Sequence, residues 1–207
     1  MRIVVATGNL GKLAELDRIL EGLPVELSPM SDWDLPSPVE DGDTFEANAL
    51  IKARAAAEAT GLAALADDSG LEVDALGGDP GVRSARYAQD EDPDASGDQS
   101  NNDRLVRELA GIPSEERTAR FVCVAALVAP DGREWTERGT MEGHVVDEAR
   151  GDAGFGYDPH FVSEGETRTN GELTPAEKDS RSHRGAAFRA IRAHVEGLVA
   201  ESDRTDT

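Results

Sequence analysis

Residues 62–76 read LAALADDSGLEVDAL, and the adjacent carboxylates Asp67 and Asp68 inside this otherwise apolar stretch constrain the fold more than any other feature. A carboxylate taken out of water is costly unless a cation or strong donors satisfy it, so the pair either sits at a solvated turn or meets positive charge. By pattern, LAALADD and LEVDAL are two short strand-like pieces, with the acids at the end of the first. Successive residues of a strand point to opposite faces, so only one of the two aspartates can look into a given cleft.

The charge balance makes the question sharper. There are 42 acidic residues against 21 basic ones, a net charge of −21, and Lys12, Lys52 and Lys178 are the only lysines. The acids are interleaved with regular apolar periodicity, which argues for a folded core under an acidic shell rather than for disorder. Such a field opposes nonspecific binding to nucleic acid, whose phosphates need clustered positive charge. It is best tolerated in concentrated salt, where the Debye length shrinks to about 3 Å at 1 M, so a halophilic protein is expected. The 207 residues suffice for one sizeable core, read as a single domain over 1–200 with a frayed tail at 201–207. The opening MRIVVATGN has too short an apolar run for a signal peptide or a membrane span, so a cytoplasmic location without a membrane partner is expected. Cys123, inside FVCVAALV, reads as a buried thiol.

RIVVATG reads as a buried strand, and Leu10, Leu13, Leu16, Ile19 and Leu20 then recur at helical spacing. DTFEANALIKARAAAEATG predicts a helix with Asp43 and Glu46 in capping-box spacing and Gly61 as its stop. Residues 89–103 are polar and turn-rich, which predicts a mobile loop before a short helix in DRLVRELAG. A hairpin is expected around Pro130-Asp131-Gly132, GHVV as a further strand, and a last helix from near Ser182 with Phe188, Ile191, Val195 and Leu198 on one face. Helices alternating with strands early, followed by a hairpin, give an α/β class with a mixed sheet flanked by helices.

Four stretches could carry chemistry. Thr7 to Lys12, TGNLGK, lies at a strand-to-helix turn, where free backbone N–H groups and a lysine one turn in suit a triphosphate; a plain turn with a solvated lysine gives the same pattern. Glu40, in VEDGDTF, with one aspartate of the Asp67-Asp68 pair would supply the one or two carboxylates that Mg²⁺ takes beside waters and phosphate oxygens; exposed turns of an acidic protein are the alternative. On the first reading, the metal supplies the charge that the buried acids lack. GFGYDPHF, residues 154–161, offers a glycine-flanked Phe155 able to stack on a base, or simply a strand end filling the core. Lys178 with Ser182-His183-Arg184 puts basic side chains at a helix start, against the helix dipole, or forms a solvated capping turn.

Together and in this order, VATGNLGKLAEL, EDGDTFEANALIKA, ADDSGLEVDALGGDPGVRSARYA, RGDAGFGYDPHF and ELTPAEKDSRSHRGAAF resemble the inosine triphosphate pyrophosphatase family. The resemblance covers nearly everything from residue 3 to about 190. It implies an elongated α/β fold with a long mixed sheet, two lobes and a central cleft, commonly a homodimer. The implied activity is hydrolysis of non-standard purine nucleoside triphosphates (ITP, dITP, XTP) to the monophosphate and pyrophosphate, with at least one Mg²⁺ per subunit. Carried over by position, the phosphate loop falls on Thr7, Gly8, Asn9, Leu10, Gly11 and Lys12, the metal ligands on Glu40 and Asp68, and the catalytic role on Asp68. Ser69 would touch substrate. Phe155, Gly156, Tyr157 and Asp158 would hold the nucleoside, and Lys178, His183 and Arg184 would read the purine edge. Lys52 falls beside the phosphates, and Asp67 supports the metal geometry. A non-catalytic nucleotide sensor, which would lose a metal carboxylate, and a pyrophosphatase of broader specificity are the competing readings.

The acidic shell generates a first prediction. Between about 0.1 M and about 2 M KCl the thermal midpoint should rise as self-repulsion is screened. A midpoint unchanged or lower at high salt would contradict salt adaptation.

Overall fold

The structure is a computed structural model that describes residues 1–7, 10–33, 36–179 and 181–205. Gly8 and Asn9 of the expected phosphate loop lie outside the described residues, as does the side chain of Leu10. Six strands, β1 (Arg2–Val5), β2 (Glu26–Pro29), β3 (Ala63–Val73), β4 (Thr118–Val128), β5 (Glu134–Val145) and β6 (Phe161–Ser163), form one sheet in the order β2-β1-β3-β4-β5-β6. The helices are α1 (Leu10–Ile19), α2 (Phe45–Thr60), α3 (Gly97–Glu108), α4 (Pro175–Asp179) and α5 (His183–Thr205). The sheet is mixed: β1 runs parallel to both β2 and β3, and β5 pairs antiparallel with β6 with Gly143 opposite Ser163. The α/β class is as the alternation of elements implies. Pro29, without an N–H to give, is tolerated because β2 is an edge strand.

The chain divides into two compact units, one from residues 1–68, 123–139 and 184–207, the other from 69–122 and 140–183. In the first, Ile3 and Val5 of β1, Leu65 of β3 and Cys123, Ala125 and Leu127 of β4 share a core with Leu16 of α1 and Phe188, Ile191 and Val195 of α5. The expected apolar face of α5 is thus the buried one. Helix α2 instead buries small residues, Ala49, Ala53, Ala56 and Ala57, which bring it close against β1. In the second unit the core gathers Leu71 and Val73 of β3, Leu105 of α3, Phe121 of β4, Met141 and Val145 of β5, Tyr157 and Phe161.

Several boundaries differ from the sequence pattern. LAALADD and LEVDAL are one continuous strand, so Asp67 and Asp68 lie mid-strand rather than at a turn. The N-cap of α2 is Thr44, not Asp43: its Oγ1 accepts from Ala47 N at 3.1 Å, while Gly61 closes the helix in the left-handed region (φ 68°) as expected. The stretch 89–103 holds the first two turns of α3 rather than a loop throughout. Its Asn101 is buried by bonding to backbone, accepting from Ala88 N at 2.8 Å and donating to Ala85 O at 3.2 Å. GHVV continues β5 through Val145 instead of adding a strand. At the end, α5 runs on to Thr205, where the pattern predicts fraying from residue 201; Glu201 is held by Arg133 Nη2 at 2.7 Å and Arg204 Nε donates to Ala200 O at 3.0 Å.

Gly70, directly after the acidic pair and Ser69, is set by packing. Ser84 Oγ accepts from Leu71 N at 2.8 Å and donates to Gly81 O at 2.6 Å, and a Cβ on Gly70 would press onto that hydroxyl and come within 2.6 Å of Gly81 O. Gly70→Ala should therefore destabilise by about 1–3 kcal/mol, read as a lower urea midpoint, because backbone and not a flexible side-chain tip must give way. A midpoint equal to wild type would show that the turn at Gly81 adjusts freely.

Candidate active site

In the first unit the two aspartates are sorted by strand alternation. Asp67, on the side of α1 and α5, is 4% exposed, and Lys12 Nζ reaches its Oδ1 at 2.9 Å and its Oδ2 at 2.7 Å. Arg184, in the first turn of α5, brings Nε to 3.5 Å from the same Oδ2, and the buried Cys123 thiol lies 3.7 Å away. Burial alone would push this carboxyl up, but the Lys12 and Arg184 charges outweigh it and hold Asp67 down at about 2. Burial and the facing Asp67 charge push the Cys123 thiol well above its ordinary range, so it stays a neutral core group.

Asp68 faces α2. Lys52 Nζ lies 3.0 Å from Asp68 Oδ1 and 2.8 Å from Glu40 Oε2, so a single ammonium is shared by both carboxylates. Asn48, one turn before Lys52 on the same helical face, donates to Asp68 Oδ2 at 3.3 Å and accepts from Gly42 N at 2.8 Å. It thereby ties the segment carrying Glu40 to the strand carrying Asp68. Gly42 has no room for a side chain there, since a Cβ would stand 2.7 Å from Ala47 Cβ. Burial raises the Asp68 carboxyl above the ordinary aspartate range despite Lys52, whose own pKa the two acids raise against burial. The neighbouring aspartates are thus driven in opposite directions. Sequence reasoning assigns the missing positive charge to a metal; in the structure Lys12, Arg184 and Lys52 supply it.

A cavity of about 220 Å³ is lined by Thr7, Lys12, Ser37, Glu40, Lys52 and Asp67, among others. That is below the ~300–1,000 Å³ of a pocket for a drug-sized ligand, a size for phosphate groups rather than for a whole nucleotide. Among the described residues no three His, Cys, Asp or Glu side chains converge as a metal set. A hard cation held by Glu40 and Asp68 would complete its shell from water and ligand oxygens, which is the usual habit of Mg²⁺.

The second unit holds the other cluster. Gly154 (φ 82°) and Gly156 (φ 61°) flank Phe155, which is 61% exposed. The loop is pinned at several points: Asp158 Oδ2 accepts from Phe155 N at 2.9 Å, Asp98 Oδ2 from Gly156 N at 2.6 Å, and Asn102 Nδ2 donates to Gly156 O at 2.9 Å. Asp158, 1% exposed, also pairs with Lys178 and accepts from Asn170 Nδ2 at 3.2 Å. Lys178 Nζ in turn stands 4.8 Å from the Phe155 ring centroid. Tyr157 is buried with its hydroxyl donating to Ser84 O at 2.8 Å, and His183 is buried with its ring stacked on Phe121 at 5.2 Å. Phe155 is therefore the exposed element of this cluster, with the half-buried Lys178 ammonium beside its ring, Tyr157 and Asp158 buried next to it, and Arg184 in the Asp67 cluster. Asn48, Asp98, Asn102 and Asn170 escape a motif reading; the only sequence signal for Asn48 is a polar residue four positions before Lys52 in an alanine-rich helix.

A profile of the Ham1 family matches residues 3–194. The dITP/XTP pyrophosphatase of Frankia alni is 55% identical, with 92% of this chain and 95% of that protein aligned, and the one of Corynebacterium efficiens is 53% identical over the same shares. Among solved structures, a HAM1 protein from Coxiella burnetii superposes with a TM-score of 0.88 at 39% identity, covering 95% of this chain and 99% of that one.

Proposed function

The chain belongs to the Ham1 family, and on that premise we propose that it hydrolyses dITP, XTP and ITP to the nucleoside monophosphate and pyrophosphate, clearing them from the nucleotide pool. The observation that supports the site assignment is the pairing of Glu40 and Asp68 on the one Lys52 ammonium, with Glu40, Lys52 and Lys12 lining a cavity of phosphate size. Two carboxylates that share one ammonium, one of them raised by burial even so, form a donor set that fits a divalent cation such as Mg²⁺. When bound, the ion would neutralise charge developing on the phosphates and lower the pKa of water.

This chain's own residues do the rest. Water attacks the α-phosphorus, the bond from that phosphorus to the oxygen bridging the α- and β-phosphates breaks, and pyrophosphate departs with that oxygen. Asp68 accepts the proton of the attacking water, and its raised pKa suits a general base better than that of Asp67, which is held too acidic. Lys12, Thr7 and the backbone N–H groups opening α1, with Gly8 to Gly11, hold the departing phosphates; Ser69 contacts substrate beside them. Phe155 stacks on the base, and Lys178, His183 and Arg184 offer donors to a 6-oxo group, which adenine lacks. The same reading includes a homodimer working in the cytoplasm; no helix among the described residues is long and apolar enough to cross a membrane.

Two measurements test this together. With Mg²⁺ present, dITP, ITP and XTP should exceed GTP, and GTP should equal or exceed ATP, in kcat/KM, with pyrophosphate as the inorganic product. Asp68→Asn should lose about 10²–10⁴-fold in turnover while keeping a native circular dichroism melt. Orthophosphate as product, ATP cleaved as well as dITP, or more than half of wild-type turnover in Asp68→Asn would each contradict the assignment.

A further inference from the structure

We propose that Lys52 competes with the divalent cation for Glu40 and Asp68, so that the cation gains its full hold only when substrate phosphates offer the lysine another seat. This rests on the reading of Glu40 and Asp68 as the metal pair and adds to it an order of events. The geometry is specific. Lys52 Nζ stands 2.8 Å from Glu40 Oε2 and 3.0 Å from Asp68 Oδ1, at the one point where both carboxylates converge. Mg²⁺ binds oxygen at about 2.1 Å, so an ion at that point needs each carboxylate to close in by less than about 1 Å. Two positive charges cannot share that point without strong repulsion, and the lysine must leave it.

Lys52 is built to leave. A lysine ends in a compact charge on four flexible carbons, unlike the fixed planar fork of arginine. Its side chain is 14% exposed and lines the same small cavity as Lys12, so the displaced ammonium keeps within reach of the space assigned to phosphates. Asn48 stays on Asp68 Oδ2, the other oxygen, and keeps the carboxylate oriented during the exchange. Cation and phosphate binding are then coupled by linkage: each removes the obstacle to the other, and the effect is reciprocal. A bound cation without substrate, free to hydrolyse nothing, is disfavoured by the same device.

The test reads Mn²⁺ binding directly, as the loss of the free-ion electron paramagnetic resonance signal, with no nucleotide present. Lys52→Gln should bind Mn²⁺ roughly tenfold more tightly than wild type, within the usual range of coupling between sites. Lys52→Arg, which keeps the charge, should not tighten binding. A second readout uses the wild-type chain itself: with ¹³C-labelled lysine, only Lys12, Lys52 and Lys178 give signals, and saturating Mg²⁺ should move the Lys52 Cε resonance most. Equal or weaker Mn²⁺ binding by Lys52→Gln than by wild type, or an unmoved Lys52 signal at saturating Mg²⁺, overturns the competition, while Mn²⁺ binding lost in Glu40→Gln keeps the metal pair standing. Absence of Mn²⁺ binding in wild type and Lys52→Gln alike overturns both.

Discussion

The burial of two adjacent carboxylates in the middle of β3 is the constraint on which the first unit is organised. An uncompensated charge there would cost several kcal/mol, enough to threaten a fold whose whole margin is typically about 5–15 kcal/mol. Compensation comes from three helices: Lys12 from α1 and Arg184 from α5 for Asp67, Lys52 with Asn48 from α2 for Asp68. Strand alternation decides which acid each helix meets. The apolar residues of the same strand follow the same division, with Ala63 and Leu65 packed in the core shared by α1 and α5.

The consequence is chemical as well as structural. A carboxylate gripped by two cations is a permanent anion that fixes Lys12 and Arg184 in place. A carboxylate that shares a cation with Glu40 is less fully compensated, and burial leaves it more receptive to a proton than Asp67 is. Function is drawn from the partner left less satisfied. The second unit repeats the theme at Asp158, a buried acid that orders the Phe155 loop through its backbone N–H and sets Lys178 over the ring. In both units a rare lysine is placed by a buried aspartate, which explains why a chain with so little lysine has it where it does.

Much of this was legible in the residues. The first strand and helix, the Gly61 stop and the apolar face of α5 follow from periodicity and cap chemistry, and Lys12, Glu40, Asp68, Phe155 and Lys178 each fall in one of the two side-chain clusters. What escaped has a common cause: polar side chains whose partners are distant in sequence. Asp67 and Asp68 look like a strand end until Lys12, Lys52 and Arg184 are seen to meet them, and Asn101 and Asn102 look like loop until their bonds to Ala85, Ala88 and Gly156 bury them. Thr44 rather than Asp43 caps α2 because Thr44 holds the extended conformation whose hydroxyl meets Ala47 N, a choice between neighbours that composition does not make. That the buried acids need positive charge was readable; that Lys12, Arg184 and Lys52 bring part of it was not, since those partners lie far off in sequence.

The sorting of the two aspartates can be measured directly by following the side-chain ¹³Cγ resonances of Asp67 and Asp68 through an acid titration of the metal-free protein. Asp67 should titrate at about 2 and Asp68 above the ordinary aspartate range, giving two distinct midpoints from neighbouring residues. Coincident midpoints, or Asp68 titrating below Asp67, would contradict the division into one anchoring and one reactive carboxylate.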